Sequence, residues 1–227
     1  MYDELAYYYD EFVSDEIYDI YINLLIKYKK FGKVLDVGAG TARLSIKMAS
    51  EGYTVTASDV SEDMLNVALE NAKNANAEIA FYLYDMLDEI EDKYDIITAA
   101  TDVINHIDEE KYLDIILKNF YEALNDEGIL IFDFLKEDYV NGLIDYHEEQ
   151  DFDSVIFKWD VKRGERPLSI IHNVEFIIDG KKLVETHYEQ TFPYKTYEET
   201  LLKNNFKILE CIELGERYIL VCKKEKA

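Results

Sequence analysis

The run Val34-Leu35-Asp36-Val37-Gly38-Ala39-Gly40-Thr41-Ala42-Arg43 constrains this chain more than any other stretch. An apolar strand pattern ends in two glycines spaced by one residue, and residues 41 to 50 then read as a helix. Glycine has no Cβ and adopts positive φ freely, so Gly38 and Gly40 predict a tight turn whose backbone a ligand can approach. The helix after the turn opens with N–H groups that have no intrahelical partner, and these suit a bound polar group. A strand, a glycine turn and a helix in that order open a βαβ unit.

The surrounding pattern agrees. Residues 13 to 30 place Ile17, Tyr21, Leu24, Leu25 and Tyr28 on one helical face. Residues 53 to 58 read as a strand, and Ser61 caps a helix running to about Lys73. Residues 77 to 83 and 94 to 100 are further strands, Asp108 opens a helix ending near Asn125, and residues 128 to 134 form a fifth strand. Short, nearly continuous apolar strands separated by helices predict a parallel sheet covered on both faces. From about residue 151 the texture becomes antiparallel β, with Arg166-Pro167 and Asp179-Gly180 as turn signals. Thr196-x-x-Glu199 reads as a capping box starting a helix to about Asn204. Residues 206 to 214 and 217 to 224 close the chain as a strand pair, on which Cys211 and Cys222 read as small buried hydrophobes.

Composition narrows the partners. The 227 residues include 24 Lys+Arg and 48 Asp+Glu, and residues 1 to 150 hold 11 of the former against 34 of the latter. Phosphate neutralisation by Lys and Arg carries nucleic-acid affinity, so a polyanionic partner is not expected. The basic stretch Lys158, Lys162, Arg163, Arg166 is expected to solvate a hairpin face. A 48% hydrophobic share with 14% aromatics supports one large core and argues against disorder. No apolar run approaches the roughly 18 residues of a membrane span. The acidic, polar start MYDELAYYYDEF lacks secretory-signal grammar, so a soluble cytoplasmic protein is expected. Two cysteines make neither a disulfide framework nor a four-cysteine zinc site.

Three carboxylates fall in register with the turn. Asp36 ends the first strand, Asp59 ends the second, 19 residues after Gly40, and Asp85 follows the third. Open α/β sheets bind ligands at the carboxyl ends of their strands, and an acid after the second strand accepts ribose hydroxyls in dinucleotide folds. A dinucleotide fingerprint also needs a small residue three positions beyond Gly40, where this chain has Arg43. An acid two residues before the first glycine suits a cation better than a pyrophosphate. S-adenosylmethionine (SAM), with its ammonium, sulfonium and ribose diol, fits this chemistry better than NAD.

VLDVGAGTARLS resembles the first motif of class I SAM-dependent methyltransferases, and TASDVSEDML resembles their second. The resemblance covers nearly the whole chain and points to a small bacterial-type group with a β insertion after strand five. The segments LAYYYDEF, YDIITAATDVINHI and IFKWD…HNVEF…HYEQTF match that group's pattern. One departure is Ala42, where a third glycine is frequent.

The resemblance implies a Rossmann-like α/β fold: a seven-stranded, mostly parallel sheet of order 3-2-1-4-5-7-6 with its last strand antiparallel and helices on both faces. Residues 1 to 142 and 196 to 227 would form the SAM-binding domain, and residues 143 to 195 an antiparallel insertion serving as a substrate lid. Asp36, Gly38, Ala39 and Gly40 would hold the aminoacyl end of SAM, and Asp59 the ribose. Val60 or Met64 would pack on the adenine, with Asp85 and Met86 at its polar edge. Thr101 would line the methyl-donor side, and Tyr9 and Tyr18 would close over the cofactor.

Methyl transfer needs in-line alignment, and a base only where the nucleophile carries its proton. Candidates near the acceptor are Asp102, Asn105 and His106 after strand four, Asp133 after strand five, and His172, His187 and Tyr188 in the insertion. Among them Asp102 and His106 are the expected catalytic pair. Asp102 and Asp133 offer carboxylates to Mg²⁺, but a supporting Asn beside Asp133 is missing, so no metal is expected. Trp159 and its aromatic neighbours would recognise substrate and exclude water. The acceptor is expected to be a small molecule bearing nitrogen or oxygen, for a chain that could self-associate. Alternatives are an NAD-dependent oxidoreductase, a non-catalytic SAM-binding protein and, disfavoured by charge, an RNA methyltransferase.

Overall fold

A computed structural model describes residues 16–152, 155–178 and 180–226. Helix α1 (Glu16–Tyr28) leads into β1 (Lys33–Val37), α2 (Arg43–Ser50), β2 (Thr54–Asp59), α3 (Glu62–Ala75), β3 (Ile79–Leu83) and β4 (Tyr94–Ala99). A 3₁₀ turn (Val103–His106), α4 (Glu110–Ala123), β5 (Leu124–Leu135) and α5 (Glu137–Leu143) follow. Strands β6 (His147–Phe152), β7 (Val155–Arg163), β8 (Ser169–Ile178) and β9 (Lys181–Gln190) precede α6 (Tyr194–Lys203), β10 (Phe206–Leu214) and β11 (Arg217–Lys224).

The main sheet has the order β3-β2-β1-β4-β5-β11-β10. Its first five strands are parallel, and β11 runs antiparallel to both β5 and β10. This is the expected 3-2-1-4-5-7-6 arrangement.

Alternation along the strands builds two cores. Val34, Ile96, Ile131 and Val221 pack with α1 and α2 on one face, while Leu35, Ile97, Leu130, Phe132 and Leu220 pack with α4 and α6 on the other. Both faces are covered, which is why the strands read as continuous apolar runs. Ser61 caps α3 as its sequence suggests, accepting the Met64 amide at 3.2 Å.

Two local expectations fail. Helix α6 starts at Tyr194, behind Pro193, not at a Thr196 cap. Pro193, with φ of −53°, sets up the first turn, so Thr196 already lies inside the helix, where its carbonyl accepts from Thr200 Oγ1 at 2.7 Å. Cys222 is buried but Cys211 is exposed, because β10 is the edge strand of the sheet.

Strands β6 to β9 form a separate four-stranded antiparallel sheet. Gly180, with φ of 76°, helps turn β8 into β9, and Asp179 lies outside the described residues. The insertion is pinned to the carboxyl end of β5. Thr191 Oγ1 donates to the Leu135 carbonyl at 2.6 Å, and Asn105 Nδ2 to the Gln190 carbonyl at 2.8 Å. Leu135, Val140, Leu143, Val161 and Ile170 seal the joint with α5. No described helix is long and apolar enough to cross a membrane.

Candidate active site

The glycine turn rests on a buried carboxylate. Asp36 is 2% exposed and accepts hydrogen bonds from Ser45 Oγ at 2.5 Å and Thr98 Oγ1 at 2.7 Å. Burial pushes its carboxyl up to about 6, against those two hydrogen bonds and with help from the Asp59 charge. Asp59 in turn fixes the turn from the second strand, accepting the Gly40 amide and the Ser61 amide, each at 2.9 Å.

The two glycines have different reasons. A Cβ on Gly38 (φ 65°) would come within 2.4 Å of Val103 Cγ2, so the neighbouring 3₁₀ turn, not a ligand alone, excludes a side chain there. A Cβ on Gly40 (φ 54°) would meet none of the described residues within 4 Å, so they leave this side of the backbone open.

At the end of β4, Thr101 and Asp102 hold φ of 62° and 67°, which non-glycine residues rarely adopt. Their amides converge on the wholly buried Asp133, Thr101 N on Oδ2 at 2.8 Å and Asp102 N on Oδ1 at 2.9 Å. Tyr21 donates its hydroxyl to Asp133 Oδ2 at 2.6 Å. Arg217 Nη1 reaches both Asp133 Oδ1 and Asp102 Oδ1 at 3.1 Å, while Nε and Nη2 donate to Glu216. The strained pair is therefore held by one satisfied network. Burial pushes the Asp102 carboxyl well up; Arg217 opposes this, while Asp133, Glu189 and Glu216 reinforce it. A guanidinium thus lies between the two carboxylates that a metal would have to bridge. Among the described residues no group of three or more His, Cys, Asp or Glu is arranged to hold a metal ion.

A cavity of about 920 Å³ opens between this strand edge and the insertion. Tyr18, Gly38, Ala39, Gly40, Asp59, Val60, Met64, Asp85, Met86, Thr101, Asp102 and His106 all line it. Asp36 lies beneath the turn instead of on the wall, and Tyr9 falls outside the described residues. The residues present fit SAM: open backbone at Gly40, a carboxylate at Asp59 and apolar walls at Val60 and Met64.

The opposite wall is one face of the insertion. Its two-residue period turns Phe157 and Trp159 of β7, His172, Val174 and Phe176 of β8, and Glu185, His187 and Glu189 of β9 toward the cavity. Trp159 Nε1 donates to His172 Nδ1 at 3.0 Å, and His172 Nε2 lies 3.0 Å from Glu189 Oε2. His187 Nε2 lies 2.8 Å from Glu185 Oε2, and that hydrogen bond raises the imidazole's pKa against the effect of burial.

Three sequence candidates leave the acceptor wall, Asp133 among them, because it is wholly buried beneath Thr101 and Asp102. Asn105 commits its side-chain amide to the Gln190 carbonyl and the Leu135 amide, and Tyr188 faces away, donating to Gln190 Oε1. Arg166 is tied to Asp108 and Glu109 and Lys158 to Glu149, so these cations do not form an open basic strip. Arg217, Glu216, Glu185, Glu189 and Tyr139 line the cavity without having been singled out. The alternation Glu185-x-His187-x-Glu189 was a readable signal of one strand face. Nothing in the sequence pairs Arg217 with Asp133.

A family model described as a methyltransferase domain matches residues 34–128. A methyltransferase-named protein of Geobacillus sp. (strain WCH70) is 29% identical across 98% of this chain and 99% of its own length. An uncharacterized methyltransferase of Staphylococcus carnosus is 31% identical across 61% of this chain and 68% of its own. Among solved structures, a S-adenosylmethionine-dependent methyltransferase from Clostridium acetobutylicum superposes with a TM-score of 0.89 at 21% identity, covering 99% of both chains.

Proposed function

Because this chain belongs to the class I SAM-dependent methyltransferases, we propose that it methylates a nitrogen or oxygen atom of a small molecule held beneath the insertion. One observation carries this reading: a single cavity joins the glycine turn and Asp59 to the aromatic and polar face of β7, β8 and β9. Bound SAM supplies an electrophilic methyl group.

The chain's own residues would do the rest by placement and solvent exclusion. The Gly40 backbone would admit the aminoacyl end, supported from below by Asp36. Asp59, which among the described residues accepts two backbone N–H groups, would keep lone pairs for ribose hydroxyls. Val60 and Met64 would cover the adenine, with Asp85 and Met86 beside it. Tyr18 and Thr101 would flank the donor, and the Asp133 network would hold Thr101 and Asp102 in register. Asp102 is the proton acceptor we assign, because burial raises its affinity for a proton at the cavity wall. His106, exposed at the rim, would pass that proton toward solvent. The insertion would serve as the lid. A small acceptor accords with the acidic composition, which repels polyanions.

The test is calorimetric titration with SAM and with NAD, followed by a screen of small amines and alcohols for uptake of labelled methyl. Saturable SAM binding with no NAD heat, and label on a small molecule, is the expected result. NAD binding in place of SAM would overturn the reading.

A further inference from the structure

The acceptor end of the cavity carries charges that are not balanced alike. Arg217 donates from all three guanidinium nitrogens to Asp102, Asp133 and Glu216, so that cation is already committed. Glu185 has His187. Among the described residues Glu189 makes its one side-chain hydrogen bond to His172, and the chemistry of that contact is set from the other side of the ring. An indole N–H can only donate, so the 3.0 Å bond from Trp159 requires a lone pair on His172 Nδ1. The ring's proton then sits on Nε2 and is donated to Glu189, and the imidazole is neutral. Glu189, with a side chain only 17% exposed, thus keeps a negative charge that, among the described residues, His187 and His106 oppose only at longer range, without a hydrogen bond to it. A largely buried carboxylate in that position lacks a directly bonded cation. Beside it, Trp159 stacks on His172 at a centroid distance of 5.7 Å, giving π surface for a hydrocarbon body, while the Phe157–Phe176 pair lies at the far end of the same sheet face, opposite Leu183.

We propose that the Trp159–His172–Glu189 chain is the acceptor-recognition element and that it selects an aliphatic or alicyclic amine, bound as its ammonium on Glu189. The inference rests on the transferase reading and narrows its acceptor to nitrogen. Glu189 is a binding residue in this scheme, and His172 and Trp159 are positioning residues acting through it.

Three probes of one shape test it: cyclohexylamine, cyclohexanol and cyclohexanecarboxylate, titrated by ligand-observed NMR into the full chain saturated with S-adenosylhomocysteine. The amine should bind at least tenfold more tightly than the alcohol, and the carboxylate least. Glu189→Gln should weaken the amine at least tenfold while leaving the alcohol and S-adenosylhomocysteine within twofold, and Glu189→Asp should recover part of the loss. Should Glu189→Gln fail to fold, Trp159→Phe keeps the ring but removes the N–H, and it should lower amine affinity severalfold with the alcohol unmoved. An amine that binds no better than the alcohol, that shows no binding, or that weakens in step with the alcohol in these variants overturns the proposal. S-adenosylhomocysteine giving no calorimetric heat would instead bring down the transferase reading itself.

Discussion

The two walls of the cavity are built on different principles. The strand-edge wall is mainly backbone: a glycine turn held by the half-buried Asp59 above the buried Asp36, and two left-handed residues held by the buried Asp133. The insertion wall is mainly side chain: alternate residues of three antiparallel strands, joined by partly exposed His–Glu contacts. The first arrangement would hold a constant ligand in a fixed pose. The second can change its acceptor by exchanging side chains without disturbing the frame.

The sharpest way to break that contrast is to remove one carboxylate from each wall. Asp133→Ala takes the buried acceptor from the Tyr21 hydroxyl and the Thr101 and Asp102 amides and leaves Arg217 with Asp102 and Glu216 alone. It should cost about 3–5 kcal/mol, the scale of a broken buried ion pair. Glu185→Ala on the insertion should cost about 1 kcal/mol or less, as a partly exposed pair does. Urea midpoints at unchanged m-value measure both. Equal losses would mean that the insertion is as integral to the fold as the strand edge.

The walls should also separate by pH. Asp36 binds its proton more tightly folded than unfolded, so its stabilising contribution is complete below about pH 4 and is lost as pH rises through about 6. The loss should be on the order of 2–3 kcal/mol, and Asp36→Asn should flatten it. His187 also has a raised folded pKa, so its contribution is present below its unfolded value near 6.5 and is lost only at higher pH. Stability curves of Asp36→Asn and His187→Gln across pH 4 to 8 should therefore diverge from the parent in different windows. A single shared window would contradict the assignment.

How much of each wall could be read from the sequence follows from the same contrast. The strand edge was legible because its chemistry sits in one contiguous run, Asp36 to Arg43, and in carboxylates at strand ends such as Asp59 and Asp85. The sheet order followed from the family resemblance alone, while the alternation of apolar strands with helices pointed only to a parallel sheet covered on both faces. Arg217 was invisible, because its partners Asp102 and Asp133 lie 115 and 84 residues away and only strand pairing of β11 with β5 brings them together. Glu189 is legible only through the two-residue period of β9, which puts it on one face with Glu185 and His187. The α6 start was misread because a capping-box pattern cannot tell that Pro193 has already begun the turn.

Ala42 gives the smallest effect. It caps the glycine turn at φ 66° and is wholly buried, which explains why glycine is frequent at its position. Ala42→Gly should raise stability by about 0.5–1 kcal/mol, relief of the left-handed Cβ clash outweighing glycine's entropy. A lower melting temperature would show that the methyl group's packing matters more than its backbone strain.

The central claim, that the strand-edge wall binds SAM and the insertion wall does not, is tested most directly by calorimetric SAM titration of three proteins side by side: the parent, Asp59→Ala and Trp159→Ala. The account predicts that Asp59→Ala weakens SAM by about 1–3 kcal/mol, through loss of a charge-assisted hydrogen bond to the ribose. Trp159→Ala should stay within about 1.4 kcal/mol, or tenfold, of the parent. Unchanged affinity in Asp59→Ala, or a Trp159→Ala loss as large as the one at Asp59, would contradict it.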